Sequence, residues 1–425
     1  MNTKASKLIH WLIVEDALRD QKGHWFEYIS TFCQGLRKLG DEVTILADKE
    51  AMPFVLEQLK PQPVLPRSIW HRMSDKAGAI TRYLRVPAHA LQTVVAVQAY
   101  LSAFSDEYDV IFVPTVLVHH LLAWTWLIKW FLSSSRVRII LFFPNAPVSF
   151  DPLQGKWIWT PSLTTSLLRL LLRTLASDVK TGKVICAAET YPMQKTLSHL
   201  SSLPFTYFPH PVLPLAASEQ ERSSLDELVI GSYGGARHEK GSDTLFQGIA
   251  EFSRQCPDYR VRFMLQCLED FAQERHLLKD NLQVKWITRY FQGSEYAHQL
   301  CQTHILLLPY RLSSYSLRVS RVVIEAIVNG IPVIATRGST LAEQADEFGA
   351  LVMCENEDPV SLAQAIQYAV EHYSELAAQA QAAAPKAQAH FSVRCFRECL
   401  FSNTNQGLND LSQPNGINQS YILDK

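Results

Sequence analysis

The segment Tyr233-Gly234-Gly235-Ala236-Arg237-His238-Glu239-Lys240-Gly241 sets Arg237 and Lys240 among three glycines, between a strand-like run and a helical pattern. That combination suits an anion. Arg can fork two phosphate oxygens, and Lys adds a mobile point charge. Gly234, Gly235 and Gly241 let backbone amides approach, and the helix opening near Gly241 adds the positive end of its dipole. The plainer reading is a solvated loop with an ordinary Arg and Lys.

Downstream, Glu325 is the only acid in an apolar helical stretch with Val322, Val323, Ile324, Ala326 and Ile327. A carboxylate is costly to bury there unless something pairs with it. Two neighbouring sugar hydroxyls are one such partner; Arg318 or Arg321 is the other reading. Together the two segments describe a pocket for a phosphate-linked sugar. A third segment, Lys22-Gly23-His24, opens the first long helix. Gly23 and His24 read equally as a capping turn or as a contact for the acceptor or the sugar.

These residues need elements to hold them. Leu8 to Val14, Glu42 to Ala47, Tyr108 to Val113, Arg138 to Phe143 and Lys183 to Ala187 read as strands with helical patterns between them. Trp25, Ile29, Phe32, Leu36 and Leu39 line one helix face at helical spacing. Phe205 to Pro214 breaks the pattern with three prolines and reads as an extended linker. The alternation restarts at Leu228 to Tyr233 and runs through Arg260–Gln266, Leu282–Ile287, Ile305–Leu308, Pro332–Ala335 and Ala350–Met353. The expectation is an α/β protein with two doubly wound parallel sheets facing a cleft, ligands lying at the carboxyl ends of the strands. The Ala/Gln-rich stretch Ala377 to Ala389 is expected to be helical but weakly packed, and Ser402 to Lys425 disordered.

The bulk properties exclude several classes. The net charge is -1, so general nucleic-acid binding has no electrostatic support. The eight cysteines form no C-x-x-C pair, and Cys395 and Cys399 lack partners at metal-ligand spacing. A zinc site is not expected, and a reduced cytoplasmic chain is the simplest reading. No signal peptide is visible, and the longest apolar run, Leu121 to Leu132, is short and contains Lys129.

Over nearly its whole length the chain resembles the retaining glycosyltransferases of GT-B architecture and group 1 type. The resemblance is carried by G-G-A-R-H-E-K-G, I-L-L-L-P-Y and E-A-I-V-N-G-I-P-V-I-A-T, with weaker support from K-G-H-W-F-E-Y, L-G-D-E-V-T-I-L and F-P-H-P-V. It implies two Rossmann-like domains, over 1–207 on the acceptor side and 208–385 on the donor side, a C-terminal helix over 386–401 returning to the first domain, and a tail over 402–425. It also implies that Arg237 and Lys240 bind the diphosphate of a nucleotide-sugar donor and that Glu325 binds its ribose. Ser316, Arg318, Val319, Ser320 and Arg321 would flank the phosphates, partly through backbone amides. The family often has a second acid eight positions before Glu325, where this chain has Leu317. The donor base is expected near Trp286 to Tyr290.

No D-x-D motif is present, so neither a metal nor a cofactor is expected; the nucleotide sugar is a substrate. The acceptor would be a glycan or lipid-linked. Between Val116 and Lys183 cations greatly outnumber acids, and Trp124, Trp126, Trp130, Trp157 and Trp159 lie among Leu-rich helices. That composition suits peripheral contact with anionic lipid on the inner face of a membrane. Two other readings stay open: a sugar-nucleotide epimerase of the same architecture, and a non-catalytic scaffold subunit of a glycan assembly complex.

Overall fold

The computed structural model describes residues 8–21, 25–68, 79–104, 108–215, 227–268, 275–278, 283–291 and 294–402, with the backbone alone over 79–84. Gly23 and His24, and the tail beyond 402, lie outside the described residues. The chain divides into two compact units. Unit 1 runs to Phe208 and takes in the described residues from Phe396 on; unit 2 is Pro209–Cys395.

Unit 1 contains β1 (His10–Glu15), β2 (Glu42–Asp48), β3 (Gln62–Leu65), β4 (Val110–Val113), β5 (Arg138–Phe142), a hairpin of β6 (Val148–Asp151) and β7 (Lys156–Trp159), then β8 (Val184–Ala188) and β9 (Phe205–Tyr207). All but the hairpin form one sheet in the order β3-β2-β1-β4-β5-β8-β9, with every pairing parallel. The central strands are buried on both faces and read as continuous apolar runs, as a sheet covered twice requires. The hairpin and two strands of the sheet are additions to the sequence reading. Pro63 masks β3, which tolerates it as an edge strand. Phe205–Tyr207 is the opposite edge strand rather than linker, because its amides pair with β8 before the prolines begin.

Unit 2 contains β10 (Leu228–Ser232), β11 (Val261–Gln266), β12 (Val284–Ile287), β13 (Ile305–Leu308), β14 (Val333–Thr336) and β15 (Leu351–Cys354). Their order is β12-β11-β10-β13-β14-β15, again all parallel. One core lies beneath the helices Ser242–Gln255 and Pro359–Glu371, another beneath Arg321–Val328 and Thr340–Phe348. In each unit the strand order reverses once, between β1 and β4 and between β10 and β13. Open parallel sheets bind ligands beyond the carboxyl ends of the strands at such a point.

The Ala/Gln-rich helix, Tyr373–His390, packs more closely than its composition suggested. Ala380 and Ala387 are fully buried. A Cβ on Gly330 would stand 3.1 Å from the Gln381 Cα, so small residues let this helix settle on the Arg321–Val328 turn. The helix carries on to His390, which puts the change of unit at Phe396 rather than the expected 386.

The C-terminal helix Val393–Ser402 completes unit 1. Phe396 sits among Phe32, Phe208, Phe112 and Phe142, with ring centroids 4.5, 4.6, 5.3 and 6.1 Å away. Beside it, Arg397 Nε donates to Asp41 Oδ2 at 2.6 Å and Nη2 to Oδ1 at 2.9 Å. Asp41 is fully buried and also accepts from the Ile9 amide and from Trp11 Nε1. Four donors on one carboxylate offset its desolvation. Removing the guanidinium strands a buried charge. We therefore expect Arg397→Met to lose about 3–5 kcal/mol of unfolding free energy, read from urea denaturation. A loss below about 1 kcal/mol, the scale of an exposed pair, would show that the pair does not anchor this helix.

Candidate functional site

The candidate residues of unit 2 gather at its switch point, on the loops that leave β10 and β13. The β10 loop turns sharply because Gly234, Gly235 and Gly241 hold φ values of 94°, 71° and 66°. A side chain at two of them would also collide. A Cβ on Gly241 would lie 2.1 Å from the Pro309 carbonyl oxygen, and one on Gly234 would lie 2.7 Å from Lys240 Nζ. Gly241 thus lets the β10 loop press against the backbone that follows β13.

The glycine amides do not form the expected phosphate cradle. Gly234 N and Gly235 N both donate to Gln266 Oε1, at 2.7 and 3.0 Å, and Gly241 N donates to the His238 carbonyl at 3.0 Å. Gln266, at the end of β11, is held in turn by Nε2 donating to the Arg289 carbonyl at 3.1 Å. The glycines therefore serve the turn, and its side chains are left to meet an anion.

Those side chains converge. Arg237 is 51% exposed, and its Nη1 lies 3.6 Å from Glu239 Oε1. Arg318, on the β13 loop, approaches Glu239 Oε2 at 3.7 Å and lies over the Tyr315 ring at 5.2 Å. Glu239 is thus a carboxylate held loosely between two guanidinium groups. Lys240 Nζ donates to the Gly234 carbonyl at 2.5 Å and sits 5.3 Å from the centre of the Tyr310 ring. Lys240 keeps some contact with solvent but is crowded by its neighbours. Burial, then the charge of Arg237, pushes its ammonium down to about 7, with Arg318 adding to the effect against Glu239. Three cations face one carboxylate, so a doubly charged anion would relieve the site.

The β13 loop runs through Leu312–Tyr315 and enters the helix Arg321–Val328 at Val319-Ser320. Ser320 has extended dihedrals and no side-chain cap bond to the helix. Thr340 Oγ1 pins the loop by donating to the Arg318 carbonyl at 2.5 Å and lies 3.0 Å from the Tyr315 carbonyl. Ser316 is committed elsewhere, its hydroxyl donating to the Leu312 carbonyl. Leu317, in the position of the family's other acid, is buried.

Glu325 is 7% exposed and satisfied within the unit. Arg321 Nε donates to Oε1 at 2.7 Å, and the Tyr296 hydroxyl donates to Oε2 at 2.5 Å. Of the two arginines offered by the sequence, Arg321 is the one that pairs, one helical turn away. Burial, then the charge of Glu325, holds the Tyr296 phenol well above its ordinary range, so it stays protonated and donating. A carboxylate accepts about four hydrogen bonds, and these two leave lone pairs unused.

Tyr296 escaped the sequence reading because only the fold brings it beside Glu325, with Tyr233 and Phe291 packed against it. Gln266 and the bridging role of Glu239 escaped for the same reason. The expected base site is partly spent on the core: Trp286 packs edge-on to Phe246 at 5.4 Å, with the Arg275 guanidinium over its ring at 5.7 Å, while Tyr290 stays exposed.

Comparison with known proteins matches this arrangement. Residues 227–372 match the profile of the family described as Glycosyl transferases group 1. A search of curated proteins finds no match. Among solved structures the chain is similar to Anabaena HepE in complex with UDP and glucose, with a TM-score of 0.62 at 15% identity over 94% of this chain and 100% of that one. It is similar to a sucrose-phosphate synthase from Thermosynechococcus elongatus, with a TM-score of 0.61 at 16% identity over 94% and 98%. It is also similar to a UDP-forming trehalose-phosphate synthase from Burkholderia xenovorans, with a TM-score of 0.61 at 11% identity over 95% and 100%. At such identities these structures speak for the fold. With the family match over unit 2, they identify a chain of GT-B fold that carries a group 1 glycosyl transferase domain and is a glycosyltransferase.

Proposed function

We propose that the protein transfers a sugar from a uridine diphosphate sugar to a glycan or lipid-linked acceptor, with retention at the anomeric carbon and no divalent metal at the donor. The observation that carries this reading is the convergence of Arg237, Lys240 and Arg318 around a single carboxylate at the unit 2 switch point. Similar structures hold UDP or UDP-glucose, which supports the uridine donor.

The chemistry follows from that charge. As the glycosidic bond to the diphosphate loosens, negative charge builds on the leaving oxygen and the sugar becomes oxocarbenium-like. Arg237 and Lys240 stabilise the leaving group more than the intact donor, which is what lowers a barrier. They also replace the neutralising role of a metal. The departing diphosphate accepts the acceptor's proton, so the protein's work is positioning. Arg318 displaces Glu239 in favour of phosphate, and the amides at Val319 and Ser320 open the helix that meets it. Glu325 accepts the ribose hydroxyls on the lone pairs that Arg321 and Tyr296 leave. Buried Leu317 offers the transferred sugar no carboxylate, so hydroxyl recognition falls to other groups.

UDP binding by calorimetry tests the donor site. Arg237→Ala and Lys240→Ala should each weaken UDP by about 1.5–3 kcal/mol, the range for hydrogen bonds to charged groups. EDTA or added magnesium should leave wild-type affinity unchanged. Glu325→Gln breaks the Arg321 pair as well, so it should lower both the melting temperature and UDP affinity. Normal affinity in all three folded variants would overturn the assignment, and a melting-point loss alone would make Glu325 structural.

Membrane contact is the second part of the proposal. Among the described residues no helix is long and apolar enough to cross a bilayer. The helix Leu163–Thr174 buries Leu168, Leu171 and Leu172 and turns outward Leu163, 79% exposed, and Leu170, with Arg169 and Arg173 also outside. It packs against the helix Val118–Trp126. Trp126 and Trp130 at the end of that segment are exposed and stacked, with centroids 6.0 Å apart. Trp124 is buried and belongs to the core. Exposed Trp and Leu beside Arg suit the headgroup region of an anionic bilayer. Cosedimentation with vesicles containing phosphatidylserine should weaken with salt and in Arg169→Glu/Arg173→Glu. A wild-type protein that stays in the supernatant at low salt contradicts it.

A further inference from the structure

Unit 1 carries a buried polar cluster to which the proposed donor chemistry gives no role. Asp16 follows β1, His89 lies on the helix Ala79–Phe104, and His119 and His120 lie on the helix Val118–Trp126 that follows β4. All four are buried, and one ligand-type atom from each lies within 4.8 Å of every other. β1 and β4 are the neighbours between which the strand order reverses, so the cluster occupies the switch point of its own sheet.

The placement of protons decides what the cluster can hold. Asp16 Oδ2 lies 2.9 Å from His120 Nε2 and 3.0 Å from His89 Nε2. His120 Nδ1 accepts the Leu117 amide at 3.2 Å, so the His120 proton is on Nε2 and is donated to Asp16. Thr93 Oγ1 donates to the His89 carbonyl at 3.0 Å and lies 3.4 Å from His89 Nδ1, so the Thr93 oxygen is placed to accept from that nitrogen. A proton on Nδ1 sets the Nε2 lone pair against the Asp16 carboxylate, 3.0 Å away, a repulsive pair unless a cation lies between them. His89 Nε2, His119 Nε2 and Asp16 Oδ1 are buried without a hydrogen-bond partner. Three unsatisfied polar atoms in one buried spot are costly, and a cation that takes their lone pairs would satisfy all three.

We propose that Asp16, His89 and His119 bind a divalent transition-metal ion, with His120 orienting Asp16 from behind. Two imidazoles and a carboxylate form a donor set that suits zinc, which also takes a fourth ligand in such sites. With bonds of 2.0–2.1 Å, tetrahedral ligand atoms stand roughly 3.3 Å apart; Asp16 and His89 are 3.0 Å apart, and every pair in the cluster lies within 4.8 Å. The His120 bond to the ligating carboxylate is the outer-shell support such sites use. Spacing along the chain hides the site, because its ligands come from three separate segments. The ion would tie the end of β1 to two helices of unit 1, and its ligands include none of the unit 2 residues proposed to hold the diphosphate.

The full-length protein, incubated with Zn²⁺ and desalted, should retain about one equivalent of metal. Co²⁺ in its place should give visible d–d absorption, lost in Asp16→Asn and His119→Gln. Stripping with 1,10-phenanthroline should lower the melting temperature while UDP affinity stays unchanged. His120→Gln should keep the ion with roughly 10–100-fold weaker affinity, which covers the case in which a ligand variant fails to fold. A wild-type protein that retains no zinc and gives no cobalt spectrum would overturn the proposal and assign the cluster to a shared proton.

Discussion

The donor site depends on one close approach, that of Gly241 to the Pro309 carbonyl oxygen. With φ at 66° and no room for a Cβ, only glycine brings the turn after β10 against the chain leaving β13. That contact sets Arg237 and Lys240 on one side and Tyr310, Tyr315 and Arg318 on the other. Without it the cations would be separate surface charges, worth little each. With it they crowd, and burial, then the nearby charge of Arg237, brings Lys240 down to about 7. The energy that holds like charges together comes from the sheet beneath. β10 and β13 are adjacent and buried, so their loops leave the sheet side by side.

The two units share a plan but place different chemistry at the same topological point. In unit 2 the switch point gathers cations and a shielded carboxylate. In unit 1 it gathers imidazoles and a carboxylate, with Glu15 beside Asp16. Burial, then the charge of Asp16, raises the Glu15 carboxyl to about 7 against the Thr115 hydroxyl and the Ala17 amide that bond it. A cationic site binds a leaving group that carries charge. A cluster of lone pairs binds a cation. The fold supplies the place in both cases and the residues supply the sign.

The sequence was legible where a local pattern carries the physics. The buried strands of both sheets are continuous apolar runs, and the expected strands lie within a few residues of the observed ones. β3 and β9 were hidden because edge strands tolerate Pro63 and run straight into the proline segment. Arg237, Lys240 and Glu325 stood out as candidates because each differs chemically from its neighbours, and the fold brings Arg237 and Lys240 together with Arg318. The use of the glycine amides was misread: which acceptor an amide finds is tertiary information, and here it is Gln266 from another strand. Tyr296 beside Glu325, and the Asp16 cluster, are likewise contacts between distant segments that no spacing records. The helix of alanines was judged weak by composition, yet small side chains are what allow it to lie against Gly330.

The central claim is that this cation cluster receives a nucleoside diphosphate, and proton uptake on binding measures it most directly. Lys240 at about 7 is mostly neutral at pH 8 in the free protein, and a diphosphate beside it restores its charge. Calorimetric titration of UDP at pH 8, in buffers of different ionisation enthalpy, should show uptake approaching one proton per nucleotide. The uptake should fall as the pH is lowered towards 6. Absence of saturable UDP binding, or binding with the same heat in every buffer, would contradict the account.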